Sequence, residues 1–584
     1  MDLLTSCIRA DGEYAQLLAA VRAAFRDKPL PLLANGLCEG ATEAFMTSLI
    51  EDVCTKAAPD GGVSRTGRRR CALIVCPEEK DCVRLRQTLE RFGLRAAFYT
   101  PRDLSFYNVT ASHEYEHERM RVLSGLAAGT LDAVITTPDA ALSYTVPPDV
   151  LRAASVRLDF HTPVDPGTLA ERLVAAGYNR VDLVEGAGQF AVRGGIIDVF
   201  APFGTYIDDE GELRAGSYPL RVELFGDEID RMGLFDPETQ RMTCAVDEAE
   251  LLPSREVLTD AAGLERLAAA IAAQRKSARS DEARRTLAEE AAAVAAARAE
   301  QTPTGAGLHF LDRYIRLVYP EPACLLDYFQ ERTLFLIRSN AAVQDRLRGG
   351  EKLLNEQVVS LCESGLLAGK YAEFARPAAA FERFLESNVT VHVDSLSYGM
   401  SGRRLGGIFG FRTRHMVSYA DNLRLLCEDV TRYREGGYRI AVIAENETAA
   451  RSLADLFADA GIPAAIPAPG SADTPDAMPR GTVLIHWRSY LFGYELMVPR
   501  IAILSTNPDS RTGSLSTSPA VLRSRKRAAD EARRRNTRTI LSFNDLEPGD
   551  LVVHESYGIG RFTGIENLTA AGVSRDYIGI PYAG

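Results

Sequence analysis

Although the chain carries ten cysteines, no two are spaced C-x-x-C, so neither a zinc cluster nor a disulfide framework is encoded. Cys71, Cys76 and Cys82 are the closest group, and Cys76 ends the apolar run CALIVC, where a small thiol serves as strand core. The opening residues, MDLLTSCIRADGEY, lack a basic stretch followed by an apolar one, and no run reaches the roughly 18 apolar residues of a membrane span. A reducing cytoplasm and no membrane partner are therefore expected. Lysine is scarce beside arginine and the net charge is -12, which excludes a chain coated in basic surface and confines any nucleic-acid contact to a local patch. None of the eight histidines, His554 included, stands in a constellation that would activate a nucleophile. No catalytic residue and no metal ligand is predicted.

What is present is ordinary globular material: 584 residues, 46% of them hydrophobic and 25% charged, enough for about three to five domains at roughly 100 to 200 residues each. Up to about residue 150 the text alternates between buried-strand runs (PLLANGL, CALIVCP, RAAFYT, LDAVITTPDAAL) and helical patterns, which predicts a parallel sheet with helices on its faces. From about Arg157 the runs shorten and are broken by EGAG, RGG and FGDE, the pattern of an antiparallel meander. Leu258 to Thr302, rich in Ala, Glu and Arg, reads as one long helix, a solvated structural arm. TLFLIRSN returns to a buried strand, and Arg439 to Thr506 repeats strand and helix as a further small α/β unit. Asn507 to Arg538 is polar and basic without interleaved aromatics, so it is read as a solvated linker, with a phosphate-binding arm as the alternative. The last stretch is strands between Gly turns and stops without a terminal helix or polar tail, as a truncated domain would.

The stretch LLANGLCEGATEAF, Leu32 to Phe45, sits where a P-loop belongs, between a strand and a helix. A working P-loop reads G-x-x-x-x-G-K-[ST], because its amides cradle phosphate while the Lys neutralises charge. Gly40 and Thr42 fall in place, but Ala41 stands at the Lys position and Asn35 at the first Gly. Ala41 has no ammonium to offer, and a side chain at Asn35 replaces the turn glycine.

Three segments carry a resemblance. AGYNRVDLVEGAGQFAVRGGIIDVFAP with LRVELFGDEIDRMGLFDPETQR resembles the module shared by the excinuclease subunit UvrB and the bacterial transcription-repair coupling factors (the Mfd family). LEPGDLVVHESYGIGRFTGIENL followed by DYIGIPYA resembles the RNA polymerase interaction domain of that family and of CarD-type regulators. The resemblance implies an α/β multidomain chain. Residues 1–153 and 226–415 would form a degenerate UvrB/helicase-like parallel-sheet domain, the second part holding the helical arm 258–302. An α+β UvrA-binding domain at 154–225 would be inserted between them. A small α/β domain at 416–508, a basic linker at 509–538 and a partial SH3/Tudor-like (CarD-type) β-barrel at 539–584 would follow.

For function, the resemblance implies the N-terminal part of a coupling factor that links stalled RNA polymerase to nucleotide excision repair, in the bacterial cytoplasm and near the nucleoid. UvrA and the polymerase β subunit are the implied partners. The ATP-dependent double-stranded DNA translocase of the family, with its ATP and magnesium, would lie beyond this chain, leaving no cofactor here. Arg193 matches a UvrA-contact arginine, and Arg180 and Gln189 are expected contacts with it; Ala191 stands where the family has an arginine, and Asn179, with Arg180 beside it, where another is often found. Period-2 alternation puts Phe190 and Val192 inward and Gln189, Ala191 and Arg193 outward. In the terminal segment Val552 and Phe562 are expected in the core, and Ile565 and Leu568 on the polymerase-docking edge. UvrB carries magnesium-serving acids where this chain has Arg338 and Ser339, and an Arg there repels the metal. Together with Ala41 this predicts no ATP hydrolysis and no specific ATP affinity tighter than about the mM range. A UvrB-like damage-verifying ATPase would need the missing Lys and acids; a CarD-type regulator would not need more than 500 residues ahead of its polymerase module.

Overall fold

The structure, a computed structural model, describes residues 3–27, 29–55, 70–102, 113–299, 308, 310–329, 333–394, 404–467, 478–487, 493–507, 551–554, 558–561, 563–570 and 573–579. The linker expected at 509–538 and the candidate core residue Phe562 lie outside these.

The alternating text folds as expected into a seven-stranded sheet, with strands in the spatial order Gly407–Gly410, Leu32–Asn35, Val389–Asp394, Leu334–Arg338, Ala72–Val75, Ala133–Thr136 and Ala96–Tyr99. Every pairing in it is parallel. Successive residues feed opposite cores: Ile74, Leu334, Leu336 and Val391 pack on one face, and Leu73, Val75, Phe335 and Ile337 on the other. Burial on both faces explains why these strands read as unbroken apolar runs.

The chain leaves this sheet for a second one, also seven-stranded, in the order Val156–Asp159, Met242–Leu251, Glu228–Phe235, Leu213–Phe225, Ile196–Asp208, Gln189–Arg193 and Asn179–Arg180. All its pairings are antiparallel except that of the short Asn179–Arg180 strand. Strand Met242–Leu251 also pairs with Ile196–Asp208, which curls the sheet closed around Val199, Leu220, Val222 and Val246. The expected boundary at residue 225 is corrected: hairpin pairs Phe225↔Glu228 and Leu224↔Ile229 run straight across it, and the sheet continues to Leu251. The meander text was read correctly as strands, but FGDE is a turn inside the domain rather than its end.

The helical arm is corrected as well. It consists of two helices, Ala261–Ser277 and Asp281–Ala299, and their Leu267, Ile271, Leu287 and Val294 are fully buried in the second core of the parallel sheet. A third, mixed sheet of six strands runs Thr413–Met416, Gly493–Leu496, Ile501–Ser505, Arg439–Ala444, Val483–Trp487 and Ala464–Ala465. Its first strand begins ahead of the boundary expected at 416. One face is covered by helices Leu423–Glu435 and Glu447–Asp459 through Leu426, Val430, Leu453 and Phe457, while Ile443, Tyr494, Leu496 and Ile503 on the other face join the core of the first sheet. Near the C-terminus two hairpins form, Leu551–His554 with Gly558–Arg561 and Gly564–Ala570 with Val573–Gly579.

Candidate interaction surface and a filled phosphate loop

Strand Leu32–Asn35 ends at the C-terminal rim of the parallel sheet, where α/β proteins hold ligands, and helix Ala41–Ile50 starts from Gly40 as a P-loop helix would. The loop between them is held by the chain's own groups. Phe411 donates its N–H to the Asn35 carbonyl at 2.9 Å. Gly36 has φ +78°, and a β-carbon there would stand 2.1 Å from the Phe411 carbonyl oxygen, so glycine is required one place after the motif's usual position. The Thr413 hydroxyl accepts from the Cys38 N–H at 2.7 Å and donates to the Gly36 carbonyl at 2.8 Å. The Gly40 N–H donates to the Glu43 carboxylate at 2.6 Å, and Thr42 turns its hydroxyl back to the Cys38 carbonyl at 3.0 Å. Ala41 is completely buried. Two amides that would cradle phosphate are thus engaged, and a carboxylate already occupies the positive end of the helix.

Arg338, at the end of strand Leu334–Arg338, lies 3.3 Å from Glu43. Burial opposes its charge, but the surrounding acidic groups, Glu43 first and then Cys76, Asp81 and Glu39, together outweigh that and raise the guanidinium above its usual range. Ser339, with φ 57°, passes its N–H to Val393 and stands at the start of the long helix Asn340–Ser364 without a side-chain cap. Around the rim, Arg84 pairs with Glu39, and Arg346 with Asp139 at 2.7 Å and Glu79 at 3.4 Å. The structure therefore brings Asn35, Gly40, Ala41, Thr42, Arg338 and Ser339 to one place. It adds Glu43, Phe411 and Thr413, which sequence reading missed; the signal for Glu43 was a Glu three residues after a helix-capping position. Among the described residues no group of His, Cys, Asp and Glu side chains is arranged to hold a metal ion.

The second candidate lies on the curled sheet. Arg193 ends strand Gln189–Arg193 and pairs with Asp198 across the hairpin; its side chain stays 44% exposed while Asp198 is wholly buried. Asp198 is also gripped by Arg221, through Nε at 2.6 Å and Nη2 at 2.9 Å, and Arg221 stacks on Phe235. Arg193 and Arg221 thus share one carboxylate, and Glu223, on the same strand as Arg221, adds its charge beside it. The Gln189 side-chain carbonyl is committed to closing its own loop, accepting from Glu185 N–H at 3.0 Å and Gly186 N–H at 3.1 Å. Arg180 stands opposite Phe190 on the edge strand, about 10 Å along the sheet from Arg193 by strand rise. The alternation is half corrected. Phe190 points inward and Arg193 outward, yet Ala191 is buried too, because Val184 and Phe235 form a small cluster over the face expected to be open.

Sequence reading also missed Phe225. It is 82% exposed at the tip of the neighbouring hairpin, and the adjacent Leu224 N–H bonds Gly195 just beyond Arg193 at 2.7 Å. An aromatic directly before the turn residues GDE was its signal. In the terminal hairpins Ile565 pairs across from Ile578 and Leu568 from Arg575, and Val552 lies opposite Gly560.

Comparison with known proteins follows these boundaries. The UvrB interaction domain family matches residues 156–256, the whole curled sheet with its exit, and the CarD-like/TRCF RID domain family matches 546–584. The transcription-repair-coupling factor of Bacillus subtilis (strain 168) is 26% identical over 490 residues, covering 81% of this chain and 38% of that protein. That of Staphylococcus epidermidis (strain ATCC 12228) is 24% identical over 484 residues, and that of Staphylococcus haemolyticus 24% over 480, each with the same two shares. The chain thus spans less than two-fifths of the length of these relatives. Two domain matches in the order the motifs gave, and relatives that run through most of the chain between and around them, make this chain similar to the N-terminal region of the transcription-repair-coupling factors.

Proposed function

We propose that this chain is a binding platform linking transcription to nucleotide excision repair. Residues 156–256 contact UvrA through the edge bearing Arg193 and Arg180, with Gln189 shaping the adjoining loop. The terminal hairpins, as part of a small SH3/Tudor-like barrel, dock on the RNA polymerase β subunit through Ile565 and Leu568. The parallel-sheet domain is a docking body that neither binds nor hydrolyses ATP, and no cofactor belongs to this chain. ATP, magnesium and double-stranded DNA are matters for the translocase of the whole protein, which works in the bacterial cytoplasm on the nucleoid.

The observation that carries this reading is Arg193: a guanidinium tied on one side to a buried carboxylate and open on the other, in the domain that matches the UvrB interaction family. Such a pre-oriented arginine is a common interface hot spot, because little side-chain freedom is lost on binding. Arg193→Glu is expected to abolish capture of the chain by immobilised UvrA while leaving its circular dichroism unchanged. Capture at wild-type strength would remove this edge from the interface. The filled loop weighs against a UvrB-like ATPase.

A further inference from the structure

Domains joined by two chain crossings are by default free to move unless a large apolar interface holds them. The curled sheet is joined to the parallel-sheet body in that way, yet its exit is held unusually tightly. The linker after Leu251 is first stitched to its own domain. Tyr178 donates to the Leu252 carbonyl at 2.6 Å, Ser254 N–H bonds Ala176 at 2.8 Å, and Arg255 donates to Asn179 at 3.0 Å. The next residue, Glu256, passes wholly to the body. Its N–H bonds the Glu116 carboxylate at 2.7 Å, and its carbonyl accepts from the Tyr319 hydroxyl at 3.0 Å. One carboxylate oxygen accepts from Arg119 Nε at 2.9 Å and Thr145 Oγ1 at 2.7 Å, and the other pairs with Arg102. Glu256 is 2% exposed and Arg119 1%, with the Arg119 guanidinium also lying over the Tyr99 ring.

A second contact lies on the same body helix, His113–Ala128. The His117 ring nitrogen is 3.1 Å from where a β-carbon of Gly188 would stand, so the helix and the loop leading into strand Gln189–Arg193 meet closely at a residue whose φ of +81° already favours glycine. Glu116 and Arg119 flank this contact and reach Glu256. The exit linker and the loop behind the Arg193 strand thus rest on one helix.

We infer that Glu256 is the positioning residue of the interaction domain: its carboxylate, held by Arg102, Arg119 and Thr145, fixes the orientation in which the Arg193 edge is presented relative to the rest of the chain. A buried carboxylate satisfied by several donors at once acts as a register device, because each donor loses its partner if the linker rotates. Only the consequence for partner binding rests on the proposed UvrA contact; the fixed orientation does not.

The test places fluorophores through non-natural residues at exposed positions Asp230, on the curled sheet, and Glu356, on the body, in the whole chain. The unaltered chain is expected to give one narrow transfer-efficiency distribution. Glu256→Gln, which keeps the shape and removes the charge, is expected to broaden it at least twofold with circular dichroism unchanged. A folded Glu256→Gln chain with the unaltered distribution overturns the inference. If that variant does not fold, Thr145→Val, which removes one donor to the carboxylate, decides in the same way: broadening supports the inference and an unaltered width overturns it. Absence of UvrA capture by the unaltered chain would count against the proposed contact and leave the distance result standing.

Discussion

Glu43 has taken over two duties that a bound nucleotide and its counter-charge perform in a working phosphate loop. One carboxylate oxygen receives the Gly40 amide, and the other faces the guanidinium of Arg338. The two residues are mutually dependent, since Glu43 is almost wholly buried and the guanidinium of Arg338 is the cation that faces it. Removing one member of such a pair costs more than the pair contributes, because the survivor keeps its desolvation penalty. Glu43→Ala is therefore expected to lower the urea-unfolding stability of the parallel-sheet unit by about 3 kcal/mol. Restoring the motif's cation by Ala41→Lys is expected to give no calorimetric ATP binding tighter than about 1 mM, because Thr413 still holds the Cys38 amide. Tight magnesium-dependent binding by that variant would show that the loop is vacant rather than filled. The missing Lys was legible in the sequence because it is an absence at a fixed motif position. Thr413 was not: it closes the loop from 375 residues away in the chain, and no local pattern announces a contact of that span.

At the scale of elements, legibility followed burial. Strands covered on both faces declared themselves as apolar runs, and the curled sheet as alternation broken by turns. The helical pair Ala261–Ser277 and Asp281–Ala299 did not, because alanine-rich helices show a weak apolar stripe and their charges mimic a solvated rod. The break between them carries neither Pro nor Gly; its only local mark is Ser280, whose hydroxyl accepts the Ala283 N–H at 3.0 Å and starts the second helix. Some of the charges are internal. Glu290 pairs with Arg313 and accepts from the Tyr314 hydroxyl at 3.1 Å, whose oxygen lies 3.1 Å from the Gln274 side chain as well. The two possibilities differ sharply in energy. Leu287→Ala is expected to cost about 3 kcal/mol if the leucine is core, against less than about 0.5 kcal/mol for a surface position on a solvated arm. Chemical denaturation followed by circular dichroism separates these values.

Across the whole molecule, the first and third sheets share a core whose wedge is the N-terminal helix Leu3–Arg9. At seven residues it is far too short to be stable alone, so its helical form is a product of packing. Leu3, Leu4, Cys7 and Ile8 are all buried, and Tyr494 of the third sheet donates to the Leu4 carbonyl at 3.2 Å. On the opposite flank Arg9 reaches Asp52 at 2.7 Å and Glu51 at 2.5 Å, while Ser48 donates to Thr5 at 3.2 Å. The helix thus binds the third sheet to the helix that follows the filled loop, and the two α/β units should unfold together. Ile8→Asp places an unpaired carboxylate in that shared core, a change expected to exceed about 3 kcal/mol. Its effect should fall on the coupling first, since the covered faces of each sheet retain their own helices. Scanning calorimetry of the unaltered chain is expected to show one transition for these two units, and of Ile8→Asp two, with the earlier one accompanied by exposure of tyrosine fluorescence from the third sheet. A single transition that merely moves to lower temperature would mean that the sheets are joined elsewhere, and the connecting strands Gly407–Gly410 and Thr413–Met416, which run from the edge of one sheet to the edge of the other, would be the place to look.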